Sequence, residues 1–107
     1  MNGIDKSNVL AILSGTSQEK PIHLTKLANL SHVDSRVCKE IIREARLSGS
    51  PIGGDTYCGY FMAKSISDLD GIIASIKSSM ITRQKTIKAL EMTRLRMTKD
   101  KQMESIF

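Results

Sequence analysis

Arg36, Lys39, Glu40 and Arg43 lie close together in the chain and carry the chemistry best suited to reading nucleic acid. Arginine and lysine donate to guanine, and glutamate accepts from the cytosine amino group. Ser35 stands just before them. Thr25 and Lys26 come earlier, with a hydroxyl and an ammonium group suited to phosphate oxygens. The plain alternative for all seven is a solvated helix face, so the elements that carry them decide between the two.

Other chemistry is sparse. His23 and His32 are the only histidines, and neither stands at metal-ligand spacing from a second His or Cys. Cys38 falls on an apolar stripe, where a small buried hydrophobe is expected. Cys58 is expected on a hairpin strand, partly exposed. Two cysteines are too few for a disulfide scaffold, so both are expected as free thiols. Gly53-Gly54 reads as a turn rather than a phosphate-cradling loop. The expectation is therefore binding without catalysis, with no catalytic residue, no metal and no cofactor.

The 107 residues make one domain's worth of chain, 40% hydrophobic and 25% charged, with no tryptophan, so the core must be aliphatic. The formal charge of +5 is unevenly placed. Residues 1–70 carry eight basic and eight acidic side chains, whereas residues 71–107 carry eight basic against three acidic. A basic segment of this kind suits a polyanionic partner, or else a solvated helix. No apolar run has the length of a signal peptide or a membrane span, so a cytoplasmic protein is expected, in the host cytoplasm if phage-encoded.

Several elements must position the candidate residues. Val9, Leu10, Ile12 and Leu13 fall at helical spacing, with Ser7 as the expected cap and Gly15 as the stop. Pro21-Ile22-His23 reads as extended. Thr25 is expected to open a second helix with Leu27, Ala28 and Leu30 inward, and Ser31-His32-Val33 to form a tight turn. Asp34 or Ser35 caps a third helix whose stripe is Val37, Cys38, Ile41, Ile42 and Ala45. Its polar face is Ser35, Arg36, Lys39, Glu40, Arg43, Glu44 and Arg46, and Gly49 ends it. A hairpin follows, with its tip expected at Gly53-Gly54-Asp55 and its second strand at Tyr57 to Met62. Ser67 is expected to cap a long last helix, with Asp70 near its positive end. On that helix Leu69, Ile73, Ile76, Met80, Arg83, Ile87, Leu90, Arg94 and Met97 repeat in steps of four and three, a heptad seam interrupted by two arginines.

The expected fold is mainly α with a small β-hairpin, a winged helix-turn-helix over residues 1–66. A long basic helix over 67–98 and a frayed tail over 99–107 complete it. The segment from Leu24 to Ser65 also resembles winged-helix proteins of phage and prophage type. More distantly, it is similar to the N-terminal domain of the biotin operon repressor. Leu27-Ala28, Ser35-Arg36, Arg46, Pro51-Ile52 and Gly59-Tyr60-Phe61 carry the resemblance, which covers roughly residues 7–65. It implies that the third helix reads DNA and that the hairpin is a wing. One departure is that the wing tip carries no Lys or Arg, and that Glu40 and Glu44 flank Arg43.

Two functions follow as expectations. The first is binding of double-stranded DNA through Thr25, Lys26, Ser35, Arg36, Lys39, Glu40 and Arg43, as a small transcriptional regulator or replication-associated factor. A homodimer would form through Ile76, Met80, Ile87 and Leu90, or else Leu69, Ile72, Ile73 and Ile76 would pack on the chain's own winged body. The second is a winged-helix module that docks on a host protein.

Overall fold

The computed structural model describes residues 3–106, with side chains as far as residue 100. Six elements follow in order: α1 Gly3–Ser14, α2 Leu24–Ser31, α3 Ser35–Leu47, β1 Ile52–Asp55, β2 Gly59–Met62 and α4 Ile66–Ile106. The protein is mainly helical, with a small two-stranded antiparallel sheet and a long C-terminal helix. It divides into two compact units, one ending at Ile72 and one starting at Ile73.

In the first unit, α1 starts at Gly3 and not after a cap at Ser7. Nothing from residue 3 to residue 6 breaks a helix, and Asp5 lies in the first turn, where a carboxylate complements the positive helix end. Val9 and Leu13 are its buried positions. α2 opens one residue earlier than expected, at Leu24, and keeps Ser31 as its last residue. Its inner face is Leu24, Leu27, Ala28 and Ser31, one stripe at steps of three and four. Leu30 falls off that stripe and is 54% exposed, so its expected place inside is corrected.

The link from α2 to α3 is short because His32 adopts a left-handed conformation, φ 58°. Val33 is then buried, and Asp34 caps α3 by accepting the Arg36 N–H at 3.1 Å. On α3, Cys38, Ile41, Ile42 and Ala45 are buried and Val37 is half-buried. They join Val9, Leu13, Leu27, Ile52 and Tyr60 in one core. Each fully buried aliphatic side chain contributes about 1.5–3 kcal/mol. The Cys38 thiol lies 3.6 Å from the Val33 carbonyl, and burial, reinforced by the Asp34 and Asp5 carboxylates, raises its pKa despite the opposing Ser31 hydrogen bond.

The hairpin differs from expectation at its tip. Gly53, Gly54 and Asp55 belong to β1, pairing with Phe61, Tyr60 and Gly59. The turn is Thr56-Tyr57-Cys58, so Cys58 lies exposed in the turn and not on a strand. Asp55 builds this turn by accepting the N–H groups of Tyr57 at 2.9 Å and Cys58 at 2.7 Å. The two glycines are there for space. A side chain on Gly53 would meet Ile72 and Phe61, and one on Gly54, at φ 90°, would run into the Gly59 carbonyl. The extended residue Ile22 exchanges two 2.8 Å hydrogen bonds with Tyr60, which adds a bridge to the free side of β2.

α4 begins at Ile66, capped by Ser65, which accepts the Asp68 N–H at 3.1 Å, while the Asp68 carboxylate accepts the Lys64 N–H at 3.0 Å. The expected cap at Ser67 is thus two residues late, and Asp68 takes the role given to Asp70. The helix also runs on to Ile106, through the tail expected to fray, since no Gly or Pro follows Gly71; Phe107 lies outside the described residues. Ile72 packs against Gly53 within the first unit. In the second unit Ile73, Ile76, Met80, Ile87, Leu90 and Met97 are all exposed.

Candidate nucleic-acid interface

The apolar stripe of α3 fixes which residues face water. With Cys38, Ile41, Ile42 and Ala45 turned into the core, Ser35, Arg36, Lys39, Glu40 and Arg43 are all exposed on the opposite side. Thr25 and Lys26, in the first turn of α2, are exposed as well. The seven residues named from the sequence therefore all reach solvent.

The structure also brings part of that set together. Thr25 and Ser35 line a shallow groove of about 340 Å³ between the start of α2 and the start of α3. The remaining lining is Ala28, Asn29, His32, Val33 and Asp34. This groove is polar and open; the N-terminal N–H groups of α3 on one side favour an anion, whereas on the α2 side it runs from the first turn to the C-cap His32. Asp34 sits within it and opposes that field, although its carboxylate already accepts the Arg36 N–H. Asn29 and His32 are not among the binding residues expected from the sequence, which places His32 only in the tight turn. His32 holds the left-handed link at the tight turn expected over Ser31-His32-Val33, a conformation that histidine adopts more readily than most residues.

Arg46 has a different role from that expected. It is not part of the solvated face of α3. Its Nε donates to the Ile52 carbonyl at 2.7 Å and its Nη2 to the Gly54 carbonyl at 3.0 Å, and its guanidinium lies 6.0 Å from the Tyr60 ring centre. The forked guanidinium clamps β1 to the last turn of α3, which sets where the hairpin stands relative to the exposed face. Lys64 is similarly engaged, donating to the Ser14 carbonyl at 3.0 Å.

At the hairpin tip Tyr57 is 89% exposed, held on a turn that Asp55 orders. The backbone N–H of Cys58, then that of Tyr57, with Arg46 at longer range, holds the Asp55 carboxyl below the usual carboxylate range. The tip thus presents an aromatic ring and a carboxylate, with no cation.

Among the described residues, no cluster of His, Cys, Asp and Glu is placed to hold a metal ion, and no helix is long and apolar enough to cross a membrane. No protein-family profile, curated protein or solved structure matches the chain.

Proposed function

We propose that this protein binds double-stranded DNA as a winged helix-turn-helix, with the N-terminal half of α3 in the major groove. The observation that carries this reading is the pairing of faces on α3. One side is locked into the core by four residues, and the other offers Arg36, Lys39, Glu40 and Arg43 to solvent. A helix held so firmly can place donors against base edges with the accuracy that direct readout needs. Thr25 and Lys26 at the start of α2 contact the phosphates beside it. Tyr57 at the wing tip reaches the neighbouring backbone. The basic residues of α4 add the sequence-independent attraction that the neutral first unit lacks. Self-association through α4 would present two reading helices. A phage-type transcriptional regulator or replication-associated factor fits this description.

Selection from a randomised duplex pool tests the proposal. The wild-type chain should enrich a recurrent motif, and the Arg36→Ala, Lys39→Ala variant should not. Failure to enrich any sequence would remove the reading role of α3.

A second reading is supported by Tyr57 and by Leu47, which is 79% exposed just past the buried stripe. Both suit a docking surface for a host protein. Capture of one defined protein from nuclease-treated lysate, lost in Tyr57→Ala, would favour it.

A further inference from the structure

Among the described residues of the second unit, Ile73, Ile76, Met80, Ile87, Leu90 and Met97 form an apolar seam exposed to solvent. Ile87, Leu90, Glu91 and Arg94 line a shallow depression of about 240 Å³ on it. Their spacing is that of a four-residue hole which a side chain of a facing helix enters in a coiled coil. Written as heptads, the steps of four and three put Ile73, Met80, Ile87 and Arg94 at a, and Ile76, Arg83, Leu90 and Met97 at d. Lys77 and Glu91 then fall at e.

We propose that α4 pairs with α4 of a second copy in antiparallel sense, with Met80 of each copy seated beside Leu90 of the other. This rests on the self-association proposed above and adds its direction and register. Charge decides both. A parallel, in-register pair would stack Arg83 on Arg83 and Arg94 on Arg94 in the seam, two desolvated like-charge layers. A staggered parallel pair would not close on itself and would propagate into a fibre. In the antiparallel pair a faces d. Ile73 meets Met97, Ile76 meets Arg94, Met80 meets Leu90 and Arg83 meets Ile87, each twice by symmetry.

No arginine then faces an arginine, and each arginine stem lies along an isoleucine with its charge turned outward. The e positions face each other, which sets Lys77 of one copy beside Glu91 of the other, twice. Neighbouring registers lack this match. Sliding by one heptad in one direction sets Asp70 against Glu91, and in the other direction it sets Arg83 against Arg94. In the chosen register Met80 is the knob that enters the depression at Ile87, Leu90, Glu91 and Arg94. Lys85, Lys88, Arg96 and Lys99 all fall at b, c or f, on the outside of the pair, where they remain free for phosphates.

Sedimentation equilibrium of the full chain and its charge variants tests the pairing. Glu91→Lys and Lys77→Glu should each raise the dissociation constant by roughly three- to tenfold, since two symmetry-related pairs are lost together. The double variant should return close to wild type. Disulfide trapping tests the direction, in a Cys58→Ser chain so that only new thiols react. A mixture of Met80→Cys and Leu90→Cys chains should form the mixed disulfide, because facing a and d positions lie within bridging distance. Disulfides joining like chains would mean a parallel pair and overturn the proposal. A full chain that stays monomeric at high micromolar concentration would overturn it as well. Either result leaves the DNA reading to stand or fall by its own selection experiment, which is scored on α3 variants.

Discussion

The unit up to Ile72 and the unit from Ile73 use apolar residues in opposite ways. On α3 the stripe repeats with the helical period, every member but Val37 is buried, and the charges of the unit that contains it sum to zero. On α4 beyond Ile72 the repeat is nearer 3.5, its apolar members are exposed, and the whole net positive charge of the chain is found there. A period of 3.6 read on α3 has its covering partner in the same chain. A period of 3.5 maintained over many turns is covered only by a second helix that follows it. The comparison teaches that a stripe indicates that something covers it, and its period and surrounding charge indicate what.

The largest effect should come from disturbing the core of the first unit. Ile41→Ala should cost about 2–5 kcal/mol in denaturant unfolding, since Ile41 is fully buried. Ile87→Ala, the same change on the seam, should leave that unfolding free energy within roughly 0.5 kcal/mol when measured on the monomer, and should weaken self-association instead. Equal losses at both sites would erase the contrast between the units.

Gly54→Ala comes next. A side chain there is strained at φ 90° and collides with the Gly59 carbonyl. The cost should be about 1–3 kcal/mol, seen in thermal unfolding with a loss of amide protection confined to the hairpin. The Arg46 clamp ranks similarly. Arg46→Met leaves the Ile52 and Gly54 carbonyls without their donor and should cost roughly 1–3 kcal/mol. Arg46→Lys should recover little of it, because an ammonium cannot span two carbonyls as the guanidinium fork does.

Arg36→Ala and Lys39→Ala sharpen the comparison from the other side of α3. Each should weaken binding to a selected duplex by about 1–3 kcal/mol while the melting temperature stays at the parent's value. A fall in melting temperature with unchanged affinity would make these residues structural.

The smallest effect is set by pH. The N–H groups of Cys58 and Tyr57 favour the ionised form of Asp55, so its folded pKa lies below its unfolded one. That contribution is present above the unfolded value and is lost as pH falls through the folded value. Asp55→Asn should therefore be less stable than wild type at neutral pH, and the gap should close in acid. Since Asp55 is exposed, a gap that persists at low pH would mean that the turn does not depend on its charge.

The sequence made α3 legible because its signals are local: a cap at Asp34, one stripe and a glycine stop. The α4 seam was equally plain. The hairpin tip was misplaced because Gly53 and Gly54 resemble turn residues, whereas the structure uses them for close approach to Ile72, Phe61 and the Gly59 carbonyl. Arg46 could not be read at all, since its partners are backbone carbonyls brought near by the hairpin. The groove at Thr25 and Ser35 was half visible. Thr25 and Ser35 stand out by type and position and the turn at His32 is legible, but that Asn29 and His32 share a groove with them follows only from how α2 packs beside α3.

The proposed division of labour between base reading by α3 and phosphate attraction by the basic α4 is tested most directly by a salt series. Fluorescence polarisation of a labelled duplex, from about 50 to 200 mM salt, gives the number of phosphates neutralised from the slope of log affinity against log salt. The wild-type chain should show a steep slope. Lys85→Gln with Lys88→Gln should lower its magnitude by about one for each phosphate contact removed, while preference for the selected sequence is kept. Arg36→Ala with Lys39→Ala should lose the preference. Undetectable binding at the lowest salt, or a slope that ignores the α4 lysines, would contradict the account.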